Sequence, residues 1–170
     1  MTTVRTPRLR LEPIGPRHAV DLFELVSDPA VAEWYGTWTL AEAEAEAARI
    51  GELWRTDGVH KWMAFDLFTG ERVGRGGLSR AQVDGRERLE VGWALHGRFW
   101  GRGLATEIGC AACEFAFGEL GADEVVSFTE ARNLRSRAVM ERLGFAYTKE
   151  IVRHDEPFAL YVLHNLRRDQ

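Results

Sequence analysis

Between His96 and Leu104 the chain reads His-Gly-Arg-Phe-Trp-Gly-Arg-Gly-Leu, running from an apolar strand-like segment straight into a long helical one. Gly101 and Gly103 permit backbone geometries and close approaches that a Cβ would obstruct, and the first N–H groups of a helix have no partner within it. The helix dipole and the guanidinium groups of Arg98 and Arg102 add positive potential at the same place. Such a nest suits a pyrophosphate. The plainer alternative is a glycine-rich turn with two solvated arginines; the strand before and the helix after favour the phosphate site. A Walker A loop would end in Gly-Lys-Ser/Thr and a dinucleotide fingerprint would read G-x-G-x-x-G near a βαβ start, and neither pattern occurs.

Cys110 and Cys113 form a C-x-x-C within the helical segment that follows. Zinc would need further ligands, but there is no second C-x-x-C and no nearby histidine. Both cysteines are read as small core residues, and no metal is expected.

The 170 residues are 45% apolar with six Trp and nine Phe, enough for one globular domain spanning 1–170. Twenty-two basic against 26 acidic side chains give a net charge of -4, so the whole-molecule field favours neither nucleic acid nor an anionic membrane. Any polyanion must be met locally. No apolar run approaches the roughly 18 residues of a membrane helix, and the segment 1–12 lacks the apolar centre of a signal peptide. A cytoplasmic protein is expected.

The elements that must position the loop follow from hydrophobic period. Thr6 to Pro13 alternates Leu9 and Leu11 with charge, as a half-buried strand does. Val20, Leu22, Phe23 and Val26 recur at helical spacing until Asp28-Pro29, which reads as a stop. Thr39 and Glu42 fit a capping box before a second helix to Arg55, striped by Leu40, Ala43, Ala47, Ile50 and Trp54. Lys61 to Phe68 and Arg72 to Ser79 read as strands joined at Thr69-Gly70, with Asp84-Gly85 ending the pair and Leu89 to Leu95 as the next strand. Leu104 to Phe115 is a long helix, Val125 to Thr129 a short strand, and Asn133 to Leu143 a helix closed by Gly144. Phe145 to Val152 and Phe158 to Leu166 are the last two strands. This order predicts one α/β domain, a mixed sheet with helices on its faces.

Arg98-x-x-Gly101-x-Gly103 resembles the [RQ]-x-x-G-x-[GA] acetyl-CoA signature of the GNAT acetyltransferases, on its expected strand and helix. Asn133-x-x-Ser136-x-x-Val139-Met140-Glu141-Arg142-Leu143-Gly144-Phe145 is similar to the same family's later block, in which Asn and Ser lead a helix ending in Leu-Gly-Phe. Thr6-Pro7-Arg8-Leu9-Arg10-Leu11 resembles the T-x-R-L-x-L opening of the bacterial RimJ/RimL-like branch. Essentially the whole chain is covered.

The resemblance implies a mostly antiparallel seven-stranded sheet flanked by about four helices and splayed between strands 4 and 5, here Leu89 to Leu95 and Val125 to Thr129. Acetyl-CoA would lie in the splay along the backbone of Trp93, Ala94 and Leu95, with its pyrophosphate on Arg98, Trp100, Gly101, Arg102, Gly103, Leu104 and Ala105. Asn133 would bond the pantetheine arm, cap the following helix, or both. Ser136 would donate a proton or hydrogen bond to the leaving thiolate, or is simply a first-turn residue. Glu90 shares a strand face with the small residues Gly92 and Ala94, which leave room for substrate. It is the candidate base, with a surface carboxylate as the alternative. Trp34, Trp38 and Asp155 are assigned to the acceptor side, with packing as the alternative for the tryptophans and an ordinary polar turn for Asp155. The implied reaction is direct transfer of acetyl to a primary amine, with a backbone N–H polarising the thioester oxygen. The rival is a noncatalytic acyl-CoA sensor or interaction module on the same fold. The partners implied are acetyl-CoA and an amine, with a homodimer and a monomer both open.

Overall fold

The computed structural model describes residues 3–166, so both ends of the domain expected over 1–170 lie outside the described residues. In chain order the elements are β1 (Val4–Arg5), β2 (Leu9–Pro13), α1 (Ala19–Ser27), α2 (Pro29–Tyr35), α3 (Leu40–Asp57), β3 (Lys61–Asp66), β4 (Arg72–Val83), β5 (Arg86–Leu95), α4 (Leu104–Gly118), β6 (Glu124–Glu130), α5 (Leu134–Arg142), β7 (Ala146–Arg153) and β8 (Glu156–His164). They build an eight-stranded sheet in the order β1-β2-β3-β4-β5-β6-β8-β7. Every neighbouring pair is antiparallel except β5 and β6, which run parallel and share the single register pair Glu90↔Val126.

The sheet has one strand more than the seven expected. The segment Thr6 to Pro13 does not start as strand: Thr6 turns the chain, its N–H donating to Leu9 O at 2.9 Å, and Val4–Arg5 folds back on β2 as a separate short strand. The described residues likewise form five α-helices, because Asp28-Pro29 starts one as well as ending one. Asp28 takes an extended conformation and accepts the Ala30 N–H at 2.9 Å, while Pro29 occupies the first turn, where its missing N–H costs nothing. Asp84-Gly85 is the two-residue turn of a long hairpin, both residues at positive φ (53° and 74°), so β5 begins at Arg86 and not at Leu89.

The main core lies on both faces of β2 to β5. Trp62 meets Trp54 at a tilt and Phe115 edge-to-face, with ring centroids 6.0 and 5.8 Å away, and Ile108 of α4 sits where a Cβ on Gly76 would stand, which brings α4 down onto β4. A smaller core of Val83, Val126, Leu160 and Val162 forms where the outer part of the β4–β5 hairpin packs over β6 and β8. This arm leaves the C-terminal ends of β5 and β6 free to part.

Candidate active site in the opening between two strands

Three side chains take the places a neighbouring strand would fill. Ser127 Oγ of β6 donates to Val91 O at 2.7 Å, Tyr35 Oη to Trp93 O at 3.4 Å, and Trp100 Nε1 to Leu95 O at 2.9 Å. Alternation along a strand sends the N–H groups of Val91, Trp93 and Leu95 to that same side. The residue between them departs from the sequence reading: Ala94 O points to β4, against Gly74, and its side chain lies in an apolar cluster with Leu25 and Val31. The splay is therefore lined by the backbone of Trp93 and Leu95, and not by an unbroken run from 93 to 95.

At the end of β5 a single 3₁₀ turn (Gly97–Phe99) leads to the glycine loop. Gly101 and Gly103 both sit at φ 74°, a conformation that disfavours any side chain with a Cβ. Gly103 is the N-cap of α4 and offers no side-chain cap, so the amides of the first helical turn, at Leu104 and Ala105, have no capping partner; a Cβ on Gly101 would meet nothing within 4 Å, and one on Gly103 would meet Arg8 Nη2 at 3.5 Å. Leu104 is itself buried and Ala105 packs on the core, so both serve through their backbone. The guanidinium groups of Arg98 and Arg102 lie 4.9 and 5.3 Å from the Phe99 ring centroid. Glycine geometry, helix start and cations together fit a pyrophosphate.

Sequence reasoning missed the part played by Arg8. Its Nη1 donates to Arg102 O at 2.8 Å and its Nε to Glu107 at 2.7 Å, while its own N–H reaches Glu107 at 2.8 Å. Burial pushes the Glu107 carboxyl up, but Thr6 and Arg8 outweigh it and hold it below its ordinary value. The Thr6-x-Arg8 opening thus anchors the first turn of α4. Trp100 serves the loop as a clamp: its indole N–H is spent on Leu95, and the Arg135 guanidinium covers its ring at 3.9 Å.

Across the opening, Asn133 Oδ1 accepts the Ser136 N–H at 3.1 Å and starts α5. The capping function is thus present. Ser136 is partly buried in the first turn of α5, at the end of β6 that diverges from β5.

Glu90 is no free surface carboxylate. Its side chain is only 12% exposed, and its Oε2 receives Lys61 Nζ and Ser79 Oγ, each at 2.8 Å. The room that Gly92 leaves is taken, because a Cβ there would meet Glu90 Oε1 at 2.5 Å and Lys61 Nζ at 3.0 Å. Burial pushes the Lys61 ammonium below its ordinary value, with Glu90 opposing. Burial likewise drives neighbouring His60 down to about 4, assisted by Lys61 and Arg49. Tyr35 belongs to the same group: burial of the hydroxyl raises its phenol, and Arg75 opposes that rise. Lys61, Ser79, Tyr35 and Arg75 were not singled out from the sequence. Period-two alternation on β3, β4 and β5 places Lys61, Ser79 and Arg75 on the Glu90 face and was the signal available.

Trp34 lies 4.3 Å beneath the Arg132 guanidinium, which also pairs with Glu33 at 3.1 Å and Glu130 at 2.9 Å, so α2 is tied to the end of β6 at the mouth of the opening. Trp38 packs on the core and faces Arg75 at 5.7 Å. Asp155, at φ 61° and exposed, stands with His154 in the two-residue β7–β8 turn closed by the Arg153↔Glu156 pair. The cysteines divide: Cys113 is buried, with burial pushing its thiol up to about 12, but Cys110 is exposed, contrary to its assignment to the core. The C-x-x-C spacing turns one of them off the apolar stripe. Among the described residues no group of three or more His, Cys, Asp and Glu is placed to hold a metal, and no helix is long and apolar enough to cross a membrane.

Residues 8–146 match the model of the acetyltransferase (GNAT) domain, so the chain belongs to that family. It is an acetyl-CoA-dependent acetyltransferase by family and fold. The Bacillus subtilis (strain 168) protein YkkB is 29% identical over 164 residues, covering 94% of each chain. FsC-acetyl coenzyme A-N(2)-transacetylase of Aspergillus fumigatus is 30% identical over 168 residues, 91% of this chain and 70% of that protein. The crystal structure of an acetyltransferase from Agrobacterium tumefaciens C58 superposes with a TM-score of 0.81 at 26% identity, covering 97% of this chain and 95% of that one.

Proposed function

We propose that this single-domain chain moves the acetyl group of acetyl-CoA to a primary amine, a protein N terminus or a small molecule, by direct transfer in a ternary complex, as a cytoplasmic, bacterial RimJ/RimL-like enzyme. The observation that carries this is the opening itself. The Trp93 and Leu95 backbone, the α4 start and Asn133 would hold the donor, Glu90 lies on the β5 side and Ser136 at the start of the helix that follows β6.

Acetyl-CoA supplies an activated acyl thioester. The Trp93 N–H, on the open side of β5, would donate to the developing oxyanion. As the C–N bond forms and the C–S bond breaks, the amine loses one proton and the thiolate gains one. Glu90 receives the first through its Oε1 or an intervening water, while Ser136 Oγ hands the second to sulfur and is reprotonated from solvent. Trp34, Trp38 and Asp155 border the acceptor.

A noncatalytic acyl-CoA sensor is the second reading, favoured by one observation: Glu90 Oε2 is already held by Lys61 and Ser79. A thiol-release screen of amines and N-terminal peptides with acetyl-CoA and succinyl-CoA separates the two. Amine-dependent release supports transfer; tight donor binding with no release from any amine supports the sensor.

A further inference from the structure

We propose that Arg75 selects the acceptor, recognising a carboxylate on an amine substrate, so that the preferred acceptors are amino acids and related short amino-carboxylates. The inference rests on the reading of the opening as an acyl-transfer site and names the class of amine that site takes.

The charges on this face of the sheet pair off around Arg75 and leave it over. Lys61 is joined to Glu90 at 2.8 Å, and Glu46 holds Arg49 through two contacts of 2.7 Å. His60, with its value near 4, is neutral at pH 7. No ion pair among the described residues includes Arg75, whose guanidinium instead lies 5.3 Å from the Tyr35 ring centroid and 5.7 Å from that of Trp38. Two aromatic faces flank the half-buried guanidinium, the Tyr35 hydroxyl engages part of its N–H edge, and Glu46 acts on it only at a distance, so the rest of that edge has no carboxylate in ion-pair contact. That edge is a planar fork matched to a carboxylate.

Its position suits recognition beside the reacting centre. Arg75 stands opposite Ala94 in the β4–β5 register, and the Tyr35 ring that it faces carries the hydroxyl donating to Trp93 O. The Glu90 carboxylate lies over Gly92, one same-face row away, which is about 7 Å along the strand. An amine and a carboxylate separated by one to three carbons, with a hydrogen bond at each end, bridge roughly that span. A surplus positive charge in the same pocket opposes polycationic amines.

The test uses the whole chain with acetyl-CoA and matched acceptors: a panel of free amino acids, their carboxamides, and spermidine. Initial rates of thiol release are measured for wild type, Arg75→Met and Arg75→Lys, with calorimetric titration of the same acceptors in the presence of coenzyme A. The expected result is a preference of about 10- to 100-fold in kcat/KM for the best free acid over its amide, the scale on which leaving a buried polar group unpaired discriminates. In Arg75→Met that ratio should fall to within about threefold while KM for acetyl-CoA is unchanged. Arg75→Lys, which keeps a cation but not the fork, should lie between, and it carries the comparison if the Met variant does not fold. Equal use of acids and amides, preference for spermidine, or discrimination surviving in the variants overturns the role of Arg75 and leaves acetyl transfer standing. If no amine is acetylated, acid-selective binding that depends on Arg75 sustains the site and removes the transfer reading, whereas unselective or absent binding overturns the site.

Discussion

Asp28 Oδ2 accepts the amide of Gly97 at 3.0 Å, while Asp28 Oδ1 accepts that of Ala30 at 2.9 Å and so starts α2. One carboxylate thereby fixes the helix that carries Tyr35 and the turn that leads into the glycine loop. Burial pushes this carboxyl up, but the Gly97 and Ala30 amides and His96 outweigh it and hold it below its ordinary 3.8. Its stabilising effect is therefore complete above pH 3.8 and disappears as pH falls through the lower folded value. Asp28→Ala should cost about 1–2 kcal/mol at pH 7, in the range of a lost N-cap, and raise KM for acetyl-CoA several-fold. Denaturant unfolding at pH 7 showing no loss would separate the cap from the loop.

His60 gives a second dependence on pH. It is buried and its value falls from 6.5 to about 4, so the unfolded chain takes up its proton first. Stability should decline as pH drops from 6.5 towards 4, by up to about 3 kcal/mol over that window, and be fully present above 6.5. A folded His60→Gln variant should show a flatter melting-temperature profile between pH 7 and 4.5. A slope equal to wild type's would place the acid sensitivity in other groups.

Cys110 and Cys113 should differ in reactivity without mattering to turnover. Cys110 is exposed, though burial and then Glu114 and Glu107 raise its thiol, so alkylation at pH 8 should be slow but selective for it. Cys113 should stay unmodified in the native protein. The Cys110→Ala/Cys113→Ala protein should keep its activity within about twofold, since truncating one small buried side chain mainly affects packing. One equivalent of zinc in wild type, lost in that variant, would refute a packing role.

Ser136 tests the acid. Replacing it with Ala should lower kcat and kcat/KM together and leave acetyl-CoA affinity nearly unchanged, because the charge on sulfur exists mainly in the transition state. The drop should reach about 100-fold if the hydroxyl is the donor, less if water substitutes. A folded variant with wild-type turnover under chemistry-limited conditions would leave Ser136 as a first-turn residue of α5.

The loop was legible because its requirements are local: two glycines at positive φ, two arginines and a helix start follow one another in the chain. The capping residues Thr39 and Asn133 were legible for the same reason, since their partners Glu42 and Ser136 lie three residues away. The other contacts depend on residues far apart in sequence. Arg8 meets Glu107 across 99 positions, Tyr35 meets Trp93 across 58, and Lys61 meets Glu90 across 29. Helix packing brings Glu107 and Tyr35 to their partners and sheet register brings Lys61 to Glu90, so the filling of the space over Gly92 by Glu90 and Lys61 could not be foreseen from Gly92 being small. Asp28-Pro29 misled because one dipeptide both ends a helix and begins the next. The exposed Cys110 shows the limit of assigning a face to a helix that is apolar nearly all round.

Titration calorimetry with acetyl-CoA tests the central claim most directly, because the glycine loop and the parted strands have their purpose in holding that molecule. Wild type should bind it saturably, and at 100-fold excess over Kd its stability should rise by about 2.7 kcal/mol. In the folded Arg102→Glu/Gly103→Val protein, reversed charge and a Cβ at φ 74° should weaken binding by about tenfold or more. No heat and no melting shift for wild type at millimolar acetyl-CoA would contradict the account, and unchanged affinity in the folded double variant would move the pyrophosphate away from the start of α4.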